Sequence, residues 1–126
     1  MTAHTTTTTY YRCDVPEHAD LEAEVKRLRD GIRSVLDEAE RQHVKWGEQN
    51  HPDGTGGTTA MHVAEDAKAA CARNFAAGEG TWSDILMEEV CEAVAEEDPE
   101  RLRVELVQVA AVAVSWIEAI DRRTSR

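Results

Sequence analysis

The chain has 126 residues, 41% hydrophobic and 31% charged, which is one domain's length with enough apolar material for a core and excludes a wholly disordered polymer. Its formal net charge of −11 excludes sequence-independent binding to nucleic acid or to an anionic membrane, because both need a basic face. Three cysteines (Cys13, Cys71, Cys91) form no CxxC pair and no even disulfide framework, so they read as reduced thiols of a cytoplasmic protein.

Residues 1–15, "MTAHTTTTTYYRCDV", are threonine-rich and read as a disordered tail without the apolar stretch of a signal peptide. A single all-α domain is expected over 16–126. Pro16 and Glu17 suit a first helical turn. From there the apolar positions run Leu21, Val25, Leu28, Ile32, Val35 and Ala39 in steps of four and three, a helical period with a coiled-coil character that reaches about Trp46. Gly31 is a possible kink within it.

The stretch 46–59, "WGEQNHPDGTGGTT", is a loop with a Pro-Asp-Gly turn. Its glycines lack the Lys-Ser/Thr of a phosphate-binding P-loop. Trp46 could stack on a base and Asn50 or His51 could read its edge; equally, Trp46 could plug the first helix into the core. Thr58 or Thr59 can cap a second helix over 60–76, where Val63, Ala67, Cys71 and Phe75 share a face. "GEG" at 78–80 ends it. Thr81 with Asp84 three residues on has the form of a capping box opening a third helix. Asp98 and Pro99 are an N-cap and first-turn pair for a fourth, running to about Arg122. The longest apolar run, Leu106 to Ile117, is interrupted by Gln108 and Ser115 and falls short of the ~20 residues of a membrane span. No segment alternates with period two, so the expected architecture is an all-α four-helix bundle.

The third helix carries an anomaly. At 100° per residue, Trp82, Leu86 and Ala93 form an apolar stripe, with Ile85 at its edge, and Glu89 falls inside it. Glu92 and Glu96 follow the same edge. The fourth helix repeats the pattern: Leu102, Leu106, Val109, Ala113, Trp116 and Ile120 make its apolar face, Glu105 lies on the flank, and Gln108 is adjacent one turn on. Carboxylates gathered in an apolar seam repel one another and lose hydration, so they protonate or hold cations. Oxygen ligands at i, i+3 on facing helices suit Mg²⁺, and no Glu-x-x-His is present to suggest a di-iron centre.

Glu88-Glu89-Val90-Cys91-Glu92, then twelve residues, then Glu105-Leu106-Val107-Gln108, resembles the EExxE…ExxD signature of MazG-like, all-α nucleoside triphosphate pyrophosphohydrolases. The resemblance covers mainly residues 82–121. It implies that Glu89, Glu92, Glu105 and Gln108 hold Mg²⁺ (or Mn²⁺), that Glu88 or Glu92 accepts a proton from the attacking water, and that a nucleoside triphosphate yields monophosphate and pyrophosphate. It also implies a bundle completed as a homodimer or homotetramer. Lys68 and Arg73 on the second helix are candidates for the polyphosphate, beside Trp46 and Asn50 for the nucleoside. Gln108 departs from the signature, because an amide oxygen can ligate Mg²⁺ but brings no charge. Two other readings compete: a catalytically silent bundle that binds nucleotides or a protein, and a coiled-coil interaction protein organised by residues 21–39.

Overall fold

The computed structural model describes residues 15–124, which form four α-helices and no strand: α1 (Val15–Trp46), α2 (Thr58–Ala76), α3 (Trp82–Ala95) and α4 (Pro99–Thr124). The all-α expectation holds. The tail assigned to 1–15 lies outside the described residues except for Val15, which opens α1. No described helix is long and apolar enough to cross a membrane.

Two helix starts follow their local chemistry. The Thr81 hydroxyl accepts from Asp84 N–H at 3.1 Å while the Asp84 carboxylate accepts from Thr81 N–H at 3.0 Å, the capping box that the sequence encodes. Asp98 accepts from Arg101 N–H at 3.0 Å ahead of Pro99. The start of α2 differs from expectation. Neither threonine caps it; Gly57 precedes the helix, and its N–H donates to the Glu97 carboxylate at 3.2 Å. Thr55 Oγ1 donates to Glu96 C=O at 2.6 Å and Gly56 N–H to Val94 C=O at 2.8 Å, which fastens this loop to the α3–α4 turn. Only glycine fits at position 56: its φ is +92°, and a Cβ would stand 2.2 Å from Glu97 Cγ.

The helices pack in the order α1–α4–α3–α2. The middle pair α4 and α3 touch each other and one outer helix each, and no other pair of described helices is in contact. The short turn at one end and the Trp82–Trp116 stack at the other (centroids 6.5 Å apart, planes 11° apart) make α3 and α4 antiparallel. Within the described residues the bundle is therefore an open layer. Its buried apolar residues are Cys71, Ala93, Leu102 and Ala119. Expected face residues Val63, Phe75, Leu106 and Ile120 stay exposed, because an outer helix, or the half of an inner helix beyond its neighbour's reach, has nothing to cover its stripe. Trp46 is 62% exposed with Lys45 Nζ 4.7 Å above its ring, which overturns the reading of a plug in the core.

The α1–α4 contact holds one buried carboxylate. Glu118 accepts from Arg27 Nε at 3.0 Å and from Arg122 at 2.8 Å, and Glu24 accepts from the same two guanidiniums at 3.0 and 3.4 Å. One helical turn further along α1, Gly31 allows the close approach of α4 without breaking the helix. A Cβ there would meet Ile117 Cγ2 at 3.5 Å and Val114 Cγ1 at 3.7 Å, ordinary packing distances. Gly31→Ala is therefore expected to stabilise the fold by about 0.5–1 kcal/mol, from helix propensity and the lost freedom of the unfolded chain. A rise of the thermal midpoint without loss of helicity checks it; a lower midpoint would mean that the α1–α4 contact has no slack.

Candidate metal centre

The anomaly read from the helical period becomes a cluster. Glu89 and Glu92 lie one turn apart on α3, Glu105 comes from α4, and one oxygen of each lies within 4.8 Å of the others. All three side chains are half-buried in the groove of the central helix pair. Ligand oxygens around an octahedral ion with ~2.1 Å bonds stand about 3.0 Å apart when adjacent and about 4.2 Å apart when opposite, so this spacing fits a hard divalent cation. Turned so that its amide nitrogen faces the carboxylates, Gln108 donates to Glu105 Oε2 and Glu89 Oε2, each at 3.1 Å. Its side chain thus belongs to the cluster, bridging two carboxylates as a neutral donor.

The electrostatics are those of an under-neutralised site. Glu89 is pushed above the usual carboxylate range by burial first, then by Glu92, Glu105 and Glu88. Glu92 is pushed up by burial, Glu105 and Glu88, while Lys68 on α2 pulls it down. Lys68, though exposed, therefore stands close enough to act on the cluster from the neighbouring helix. Glu88 faces α2 at Cys71. Burial, then the hydrogen bond and charge of Glu88, raise that thiol to about 11, so it stays protonated and is no nucleophile at neutral pH.

The remaining sequence candidates sit elsewhere. Trp46 ends α1, Asn50 donates to Glu48 at 3.1 Å within its own loop, and Arg73 is exposed in the last turn of α2. Among the described residues none of the three has a hydrogen bond or ion pair to the cluster. The sequence reading missed the pairing of Glu88 with Cys71, since a pattern along one helix does not say which residue of the next helix it meets. It also missed Glu118, which sits at i, i+4 from Arg122 and could have been flagged by that spacing.

No protein-family model matches this chain, and no curated protein or solved structure matches it.

Proposed function

We propose that the chain is a MazG-like, Mg²⁺-dependent pyrophosphohydrolase that converts a nucleoside triphosphate to the monophosphate and pyrophosphate. The observation that carries this reading is the convergence of Glu89, Glu92 and Glu105, with Gln108 beside them, from two helices onto one point. Those three carboxylates would hold the ion, and a half-turn of the Gln108 amide would present its oxygen instead of its nitrogen. Mg²⁺ or Mn²⁺ bound there supplies neutralisation of phosphate oxygens and a lowered pKa for a bound water.

The protein's own groups account for the rest. Lys68 draws the polyphosphate toward the groove, against the negative charge of the chain. As the water oxygen bonds to the α-phosphorus, the α–β bridging oxygen leaves with pyrophosphate and one proton is released. A glutamate oxygen not engaged by the ion accepts it: Glu88, which stands outside the three-oxygen cluster, or a free oxygen of Glu92. Trp46, Asn50 and Arg73 remain proposals for nucleoside and phosphate contact from outside the cluster. A homodimer or homotetramer belongs to the same reading.

One observation favours a second reading, a silent bundle that binds nucleotide or protein without turnover: with its nitrogen turned to the cluster, the Gln108 amide bridges two carboxylates where the signature has a further acid. Incubation with a panel of ribo- and deoxyribonucleoside triphosphates and Mg²⁺, with products resolved by chromatography, separates the two. Monophosphate plus pyrophosphate is expected, and Gln108→Asp is expected to raise the rate. Diphosphate plus phosphate would place the protein in another class, and metal binding without any product would favour the silent bundle.

A further inference from the structure

We propose that the Asp53–Gly54 peptide is a site of spontaneous backbone modification, at which aspartate converts to isoaspartate in the folded protein. The sequence holds two Asp-Gly pairs, Asp30–Gly31 and Asp53–Gly54, which are alike as dipeptides. Glycine after aspartate lets the next backbone nitrogen reach the side-chain carboxyl, because no Cβ stands in the way. In the first step Gly54 N bonds to Asp53 Cγ, the carboxyl C–OH bond breaks, and water leaves with the amide proton. Water then adds across one carbonyl of the five-membered imide. Opening at Cγ restores aspartate, whereas opening at the main-chain carbonyl leaves the chain running through the side chain. Mass and charge end unchanged, and the main chain is longer by one methylene.

The fold treats the two pairs differently. Asp30 and Gly31 lie inside α1, where the Gly31 N–H is committed to the helix. Gly31 is buried against Val114 and Ile117 of α4, and Lys26 Nζ holds the Asp30 carboxylate at 2.7 Å. The imide ring also requires an aspartate ψ outside the helical range, so this turn of α1 must open before the ring can close. Asp53 and Gly54 sit in the loop between α1 and α2, both exposed. That loop is fixed at its two ends, where Gly47 N–H donates to His43 C=O at 2.8 Å and where Thr55 and Gly56 bond to the end of α3. Between those points its hydrogen bonds join side chains two residues apart, Asn50 to Glu48 and His51 with Gln49. Among the described residues neither Asp53 nor Gly54 has a hydrogen-bond or ion-pair partner, and nothing stands within 4 Å of where a Cβ at Gly54 would be. The Gly54 nitrogen and the Asp53 carboxyl are therefore both uncommitted. The φ of +68° at Gly54 is one that glycine holds without strain.

The inference stands apart from the hydrolase reading, and its test needs no turnover. The full chain is kept in heavy-oxygen water at neutral pH, native and in concentrated urea, until the unfolded sample has converted measurably at both pairs. Each ring opening leaves one heavy oxygen, so the peptides around positions 30 and 53 report their own rates by mass. A protease that cuts before aspartate but not before isoaspartate identifies the product. In urea the two pairs are expected to convert at rates within about threefold of each other. In the native protein position 53 is expected to keep its rate to within about tenfold, while position 30 slows by about a hundredfold or more. Asp53→Glu, whose ring would need six members, is expected to remove the native product with unchanged helicity. Equal native rates at the two pairs would overturn the proposal. So would a position 53 that is as silent in the native protein as position 30.

Discussion

Glu89→Gln is expected to lower hydrolysis by about 10²–10³-fold while making the metal-free protein more stable at neutral pH. The two effects have one origin. Glu89 stands in a groove with Glu92 and Glu105, and its carboxyl is pushed above the ordinary value of 4.5 by burial and by these neighbours. An acid whose proton affinity is raised by folding binds more protons folded than unfolded between the two pKa values, so stability falls as pH rises through that window. The window opens at 4.5 and extends to the raised values of Glu89 and Glu92; above it the penalty is complete. Asp84 and Glu24 are shifted the other way, and their stabilisation is lost only as pH falls below the usual carboxylate range. Without divalent cation, the thermal midpoint should therefore decline from pH 4.5 toward neutrality, and Mg²⁺ should restore it at pH 7–8 with little effect below pH 4.5. Glu89→Gln should flatten the decline and blunt the Mg²⁺ response. A variant that hydrolyses as fast as wild type, with an unchanged pH profile, would remove this cluster from the mechanism.

The second large effect concerns stability alone. Glu118→Ala is expected to cost about 2–3 kcal/mol, read as a lower urea midpoint at constant slope. The Glu118 side chain is only 6% exposed and serves two arginines at once, so its removal leaves Arg27 and Arg122 competing for Glu24 across the helix interface. The estimate sits below that for a fully enclosed pair because Arg27 is 24% and Arg122 41% exposed, and water can partly replace the lost acceptor. A midpoint unchanged in the variant would mean that the buried Glu118 carboxylate adds nothing to the joint between α1 and α4 beyond apolar contact and the Glu24–Arg122 pair.

How much of this the sequence disclosed depends on whether the signal is local. The starts of α3 and α4 were legible because Thr81 with Asp84 and Asp98 with Pro99 act within one turn of chain. The start of α2 was not, since neither threonine caps it and the residue before the helix, Gly57, is held instead by the carboxylate of Glu97, forty residues on. Helical period identified apolar faces correctly, yet it cannot say what covers a face, and Leu106, Ile120, Val63 and Phe75 remain open to solvent. The same logic applied to the candidate site. Glu89 and Glu105 were visible as acids out of place in a stripe, whereas the bridging posture of Gln108 and the influence of Lys68 on Glu92 exist only once two or three helices are side by side. Trp46 illustrates the opposite hazard: a large aromatic at a helix end looks like core, but α1 outruns α4, its one neighbour among the described helices, and leaves the ring in solvent.

The paired indoles of Trp82 and Trp116 have a practical corollary. Two chromophores stacked at 6.5 Å couple electronically, and they join the same two helices that bring the carboxylates together. The molecule thus has a built-in optical gauge: a circular-dichroism couplet in the far ultraviolet should report the spacing of those helices, while the solvated third indole supplies a constant background in fluorescence. Following the couplet during cation titration would track the groove directly, with no label attached.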